Sequence, residues 1–94
     1  MHLKEIAEKQ HDWLTRMGWT KNTVLEDLAL VASEVGEAVN ECRGEEPTDA
    51  LPSELADIVL RTVGLARKRG IDIEAAVLAK MAVNEARGTR GRVK

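Results

Sequence analysis

Along most of the chain, apolar residues recur at steps of three and four, the spacing that places them on one face of an α-helix. The first such stretch runs from about His2 to Met17 and stops before Gly18, a common helix terminator. The second runs from about Val24 to Arg43 and follows Thr23, which forms a capping-box pattern with Glu26. Both stretches are therefore predicted to be helices.

The second half of the chain predicts two more helices. A loop is expected from Glu45 to Pro52, because it contains both prolines. The third helix is expected to begin near Ser53 and to end at the basic turn 67–69, and the fourth to run from Asp72 to about Arg87. No stretch alternates apolar and polar residues as a strand does. The prediction is an all-α four-helix bundle forming one domain over residues 1–94, with 88–94 as a flexible basic tail.

The composition narrows the function classes. The chain has 94 residues, 44% hydrophobic and 32% charged, which is typical of a helical globular domain. The net charge of −2 and the lack of Phe and Tyr argue against a stable complex with nucleic acid. No apolar run approaches the ~20 residues that span a membrane. A single cysteine, Cys42, excludes an intramolecular disulfide and favours a reducing, cytoplasmic setting. So small a core favours oligomerisation.

Acidic residues form pairs at a spacing of three, but with 16 acidic residues this spacing arises readily by chance. Two pairs stand out by their surroundings. Glu34 with Glu37 lies in an apolar stretch of the second helix, and Glu54 with Asp57 lies in one of the third. Like charges one turn apart repel each other, and a divalent cation removes that repulsion. Oxygen-only ligation of this kind is what Mg²⁺ or Mn²⁺ prefers.

A helical wheel of the second helix complicates this interpretation. Its main apolar stripe, the expected core contact, lies nearly opposite Glu34 and Glu37, as in an ordinary solvated face. Apolar residues such as Leu30 and Val31 nevertheless flank the acidic side. The acidic face is therefore either solvated or part of a cleft closed by the third helix or a second subunit. The stripe consists of Leu25, Leu28, Ala32, Val35 and Val39.

The fourth helix carries Lys80, Asn84 and Arg87 on one stripe. Cations in the last turn of a helix suit its dipole, so a solvated helix end explains them. The alternative is a phosphate clamp, in which Lys supplies a point charge, Arg a bidentate fork and Asn an amide. Basic residues of the tail would extend such a clamp. They are Arg90, Arg92 and Lys94.

The two tryptophans have different expected roles. Trp13 falls on the apolar stripe of the first helix and is predicted to be a core residue. Trp19 follows a glycine in a turn, where it either stacks on a nucleobase or packs under the loop. Asn22, nearby, either contacts a substrate or caps the second helix.

Three segments together resemble the MazG-like, all-α nucleotide pyrophosphohydrolases. They are Leu30–Glu41 (LVASEVGEAVNE), Glu54–Asp57 (ELAD) and Lys80–Arg87 (KMAVNEAR), with 16 residues between Glu37 and Glu54. The family pattern is ExxE on one helix, ExxD on the next and a final helix bearing Lys, Asn and Arg. The resemblance covers nearly the whole chain.

The resemblance implies hydrolysis of a nucleoside triphosphate to the monophosphate and pyrophosphate, a house-cleaning activity on the nucleotide pool, by a homodimer or homotetramer. It implies that Glu34, Glu37, Glu54 and Asp57 bind Mg²⁺, with Mn²⁺ as a substitute. Glu34 or Glu37 would also activate water. Lys80, Asn84, Arg87 and Trp19 are the expected substrate-binding residues. Many members have a second glutamate where this chain has Ser33, which would change the number of metals or the activation of water.

Two other functions remain open from the sequence. One is a non-catalytic helical module whose acidic face binds a basic partner. The other is a catalytically weakened relative that binds nucleotide or metal for regulation. An EF-hand is excluded, because the chain has no DxDxDG loop.

Overall fold

The computed structural model describes residues 1–88 and contains four helices and no strand in that range. They are α1 (Leu3–Met17), α2 (Val24–Asn40), α3 (Leu51–Lys68) and α4 (Ile73–Arg87). The predicted all-α class is confirmed. The predicted flexible tail, with Arg90, Arg92 and Lys94, lies outside the described residues apart from Gly88. The extent of the domain over 1–94 stays a prediction.

The predicted helix starts of α2 and α4 are confirmed by their caps. The Glu26 backbone N–H donates to the Thr23 hydroxyl at 3.1 Å, and the Thr23 N–H donates to the Glu26 carboxylate at 2.8 Å. The Asp72 carboxylate accepts from the Ala75 N–H at 3.0 Å. These bonds satisfy backbone donors that the first turn of a helix leaves free. At the end of α1, Gly18 takes a φ of 74°, which glycine adopts without steric cost.

Two predicted boundaries are wrong. Helix α2 ends at Asn40 rather than near Arg43, because the chain turns at Glu41. There the Thr48 N–H donates to the Glu41 carbonyl at 2.9 Å, and the Thr48 hydroxyl donates to the Glu41 carboxylate. Helix α3 begins at Leu51, two residues before the predicted start near Ser53. Proline suits the first turn of a helix, where its missing N–H has no intrahelical partner to lose.

Helix α3 is the centre of the fold. It packs against α2 on one side and α1 on another, whereas α4 contacts only α1 and α3 within the described range. Gly64 lets α1 approach closely, since a Cβ at this position would lie 3.2 Å from Leu14 Cδ1. The start of α4 is joined to α1 by the Lys4 N–H, which donates to the Glu74 carboxylate at 3.3 Å. The buried hydrophobic residues are few and small: Ala7, Ala38, Val63 and Ala66.

The orientation of α2 contradicts the simple use of the helical wheel. The stripe expected to form the core faces outward, and Leu25 is 78% exposed. By contrast, the side chain of Glu34 is only 12% exposed. Helix α2 therefore turns its acidic side toward α3. The remaining large residues of the stripe are also exposed: Leu28, Val35 and Val39.

A search of the described residues for membrane spans found no helix that is both long enough and apolar enough to cross a bilayer.

Candidate metal centre and adjoining cavities

The packing of α2 on α3 brings three of the four predicted metal ligands together. Glu34 comes from α2, and Glu54 and Asp57 come from one face of α3. One carboxylate oxygen of each lies within 4.8 Å of the other two. Within residues 1–88, Glu34 Oε2 and Glu54 Oε2 are buried without a hydrogen-bond partner. Buried polar atoms normally have partners, so these two oxygens are acceptors available to a further donor or to a cation.

Glu37, the fourth predicted ligand, is not among the three carboxylates that converge, but it lies beside two of them. It lies one turn beyond Glu34 on α2, is exposed, and is within hydrogen-bond reach of both Glu34 and Glu54. The hydrogen bond that the protonated Glu37 carboxyl donates to Glu34, and then the negative charge of Glu34, raise the pKa of Glu37, and Glu54 adds the same two effects. Glu37 is therefore close enough to interact with two of the three converging carboxylates. Glu41, one turn further along, is instead bonded to Thr48.

The chemistry of this donor set fits a hard divalent cation. Four carboxylates and no sulfur or imidazole suit Mg²⁺ or Mn²⁺, which prefer oxygen ligands. The two unpartnered oxygens of Glu34 and Glu54 supply acceptors that need no rearrangement. Repulsion between like charges, visible in the raised pKa of Glu37, would be relieved by such an ion.

Sequence analysis missed the cation beside this cluster. The Arg61 Nε–H donates to Glu34 Oε1 at 3.0 Å in an ion pair between α3 and α2. A signal was present: Arg61 lies four and seven residues after Asp57 and Glu54, and so shares their helix face. It is also a charged residue directly after the apolar run from Ile58 to Leu60. The pairing itself required the relative positions of the two helices.

A cavity of about 490 Å³ opens beside the carboxylates. Helix α1 supplies one wall and α3 the other. Trp19 lies over it and contacts Trp13 edge to face, with ring centroids 5.3 Å apart. Trp13 is 41% exposed, so its predicted role as a core residue is wrong. The lining residues are Gln10, Trp13, Leu14, Trp19, Glu34, Asp57, Leu60 and Arg61.

A second cavity of about 410 Å³ shares Gln10, Leu14, Trp19 and Arg61 with the first. At its far end, Lys68 Nζ donates to the Asn22 carbonyl at 2.8 Å and pairs with Asp27 at 2.7 Å. These bonds hold the segment between α1 and α2 against the end of α3. Asn22 thus uses its carbonyl here, and Thr23 rather than Asn22 caps α2.

The structure does not bring the cationic stripe of α4 to the carboxylates of the same chain. Lys80, Asn84 and Arg87 are all exposed. Helix α4 has no buried residue, and within the described range it does not contact α2. If the stripe acts at the metal centre, it must act at that of another chain or after α4 moves.

A family model described as the MazG nucleotide pyrophosphohydrolase domain matches residues 22–87. The matched span contains α2, α3 and α4, and therefore the four carboxylates and the cationic stripe. Neither a search of curated proteins nor a search of solved structures found a match.

Proposed function

Because the chain belongs to the MazG nucleotide pyrophosphohydrolase family, we propose that it is a Mg²⁺-dependent enzyme that hydrolyses a nucleoside triphosphate to the monophosphate and pyrophosphate. One observation carries the proposal: Glu34, Glu54 and Asp57 converge beside a cavity of about 490 Å³. This volume is within the usual range for small-molecule sites.

In this proposal the ion is held by Glu34, Glu37, Glu54 and Asp57, and Mn²⁺ can replace Mg²⁺. When bound, a divalent ion offsets the charge of the phosphate oxygens and makes water more acidic. Of Glu34 and Glu37, Glu37 is the better placed to orient the attacking water and take its proton. It is exposed, whereas Glu34 is mostly buried and already paired with Arg61.

The base of the nucleotide is proposed to stack on Trp19. This side chain is 59% exposed although its ring meets Trp13 edge to face. Much of the indole surface is therefore accessible at the cavity. Stacking on an aromatic ring is tolerant of base identity. Selectivity for a base would come from the polar side chains around the ring, such as Gln10.

The active unit is proposed to be a homodimer or homotetramer. The outward stripe of α2 and much of α4 leave large apolar side chains in solvent, an arrangement typical of an interface. They include Leu25, Leu28, Val39, Leu78 and Met81. A second chain covering these surfaces can also bring its Lys80, Asn84 and Arg87 to the phosphates bound at the first chain's carboxylates. The centre would then be a cleft shared by two subunits.

A panel of canonical and modified nucleoside triphosphates tests this function. Incubation with Mg²⁺ should release pyrophosphate, and not orthophosphate, together with a nucleoside monophosphate. Chelation of the metal should stop the release, and Mn²⁺ should restore it. If no nucleotide is cleaved with either ion, the hydrolase proposal is wrong and a non-catalytic nucleotide-binding or interaction module replaces it.

A further inference from the structure

We propose that Arg61 binds two different anions in turn. In the metal-free protein it is the counter-ion of Glu34, and once a divalent cation is bound it turns to the phosphates of the substrate. This inference rests on the proposed function, because it requires both the metal and a phosphate-bearing ligand. Nothing in the sequence motifs assigned a role to this arginine.

The position of Arg61 suits both partners. It lies one turn after Asp57 and two turns after Glu54, within about 40° of each on the face of α3, given ~100° per residue. Its side chain also lines both cavities. Arg61 therefore lies between the carboxylates and the space in which a nucleotide must fit.

The bonding of Arg61 leaves most of its donors free. A guanidinium carries five N–H groups. The Nε–H donates to Glu34 Oε1, and among residues 1–88 the side chain has no other protein partner. The side chain is 42% exposed, so reorientation does not require the core to open. The two terminal nitrogens present a planar fork, the geometry that matches two phosphate oxygens.

The two oxygens of Glu34 allow the exchange to proceed in steps. Arg61 holds Oε1, whereas Oε2 is buried and unpartnered. Oε2 would therefore be available to a cation while Arg61 still holds Oε1. A positive charge there would weaken the ion pair between Arg61 and Glu34. The triphosphate supplies new negative charge on the cavity side, where Arg61 already lies.

Arg61 and the metal ion thus compete for Glu34 in the absence of substrate, whereas both bind the phosphates when substrate is present. The Arg61→Gln variant tests this with two probes. Binding of Mn²⁺ alone, followed by electron paramagnetic resonance, should become about 3- to 10-fold tighter because a competing positive charge is removed. Binding of inorganic triphosphate with Mg²⁺, followed by calorimetry, should become about 10-fold weaker because a bidentate contact is lost. A folding defect would weaken both.

Two further variants separate charge from geometry. Arg61→Lys keeps the charge, so Mn²⁺ binding should stay near the wild-type level, while triphosphate binding should be only partly restored without the fork. Arg67→Gln removes the same charge from an exposed position on the same helix, outside both cavities. It should leave both affinities within about 2-fold of wild type, as expected for a distant, screened charge.

The result also separates the two proposals. Wild-type protein that binds neither Mn²⁺ nor triphosphate overturns the proposed function, and the exchange with it. If wild-type protein binds both, the exchange is overturned by Arg61→Gln protein that binds triphosphate as tightly as wild type. It is equally overturned if that variant binds Mn²⁺ more weakly while circular dichroism shows its helices intact.

Discussion

Two sides of helix α2 differ in a way that reverses the usual arrangement of an amphipathic helix. The side against α3 holds Glu34 at 12% exposure, together with the buried Ala38. The other side leaves Leu25 at 78% exposure. A helix normally turns its apolar stripe toward its own core. Here the polar chemistry lies inside the helix pair and the apolar surface lies outside, so one helix can serve a site with one side and an assembly with the other.

The largest effect is expected from the inner side. Glu37→Gln removes the carboxylate that is proposed to orient water and to offset part of the charge of the metal ion. It should reduce kcat/KM by about 10²–10⁴-fold. Pyrophosphate release measures the loss, and the circular dichroism spectrum should not change. Glu8→Gln is a matched control, because Glu8 is an exposed member of a pair with the same spacing on α1. A Glu37→Gln enzyme with normal activity would remove Glu37 from the site.

The second-largest effect is expected from the residues of α4 that are proposed to act together with the inner side of α2. Replacing Lys80, Asn84 and Arg87 together by alanine should lower kcat/KM by about 10²-fold, since charged hydrogen bonds to phosphate are lost. If these residues serve the partner's carboxylates, mixing this variant with Glu37→Gln protein forms heterodimers with one intact site. Equal mixing and subunit exchange should then restore about a quarter of wild-type activity. No recovery on mixing would mean that both sets act within one chain.

A smaller effect tests the outer side alone. Leu28→Lys places a charge in the exposed stripe, where Leu28 is already half exposed, so the isolated chain should fold normally. Lysine is disfavoured at the centre of interfaces, and association should weaken by roughly 2 kcal/mol, or about 30-fold. Sedimentation velocity measures the shift toward monomer. Ala29→Lys adds the same charge one residue along and off the stripe. If both variants dissociate equally, the added charge itself, and not its position in the apolar stripe, weakens association.

The smallest effect concerns the start of α2, which both sides share. The Thr23 backbone N–H, followed by its hydroxyl, lowers the pKa of Glu26. A carboxyl group with a lowered folded pKa stabilises the fold above its unfolded pKa, and this contribution disappears as the pH falls through the folded value. Thermal unfolding midpoints of wild type should therefore drop between about pH 5 and pH 3 more steeply than those of Glu26→Gln. Parallel curves would exclude a contribution from the cap.

Local features of the fold could be predicted because they depend on neighbours in sequence. The caps at Thr23 and Asp72 and the stop at Gly18 are settled by residues within four positions. Helix α3 begins earlier than the pattern predicts, because Pro52, a residue type common in loops, is also favoured in the first turn of a helix. Pattern alone does not distinguish these two uses of proline.

The site was predicted in part for a similar reason. The spacing in sequence predicts that Glu34 lies beside Glu37 and that Glu54 lies beside Asp57. The approach of the two pairs depends on the packing of α2 against α3, which the spacing does not show. The side of α2 that faces α3 could not be predicted from a helical wheel. A wheel shows which side of a helix is most apolar, but not which helix packs against it. The ion pair of Arg61 could not be predicted for the same reason, since its partner, Glu34, lies on another helix.

The bonds from Lys68 have a consequence for how fast the proposed site would bind a nucleotide. They tie the Asn22 carbonyl and the Asp27 carboxylate to the end of α3, and so hold the segment that carries Trp19 before any ligand arrives. Because this segment is already held in place, it need not become ordered during binding, and less conformational entropy is lost at that step. Association should then depend mainly on diffusion and charge rather than on a slow closure of this segment.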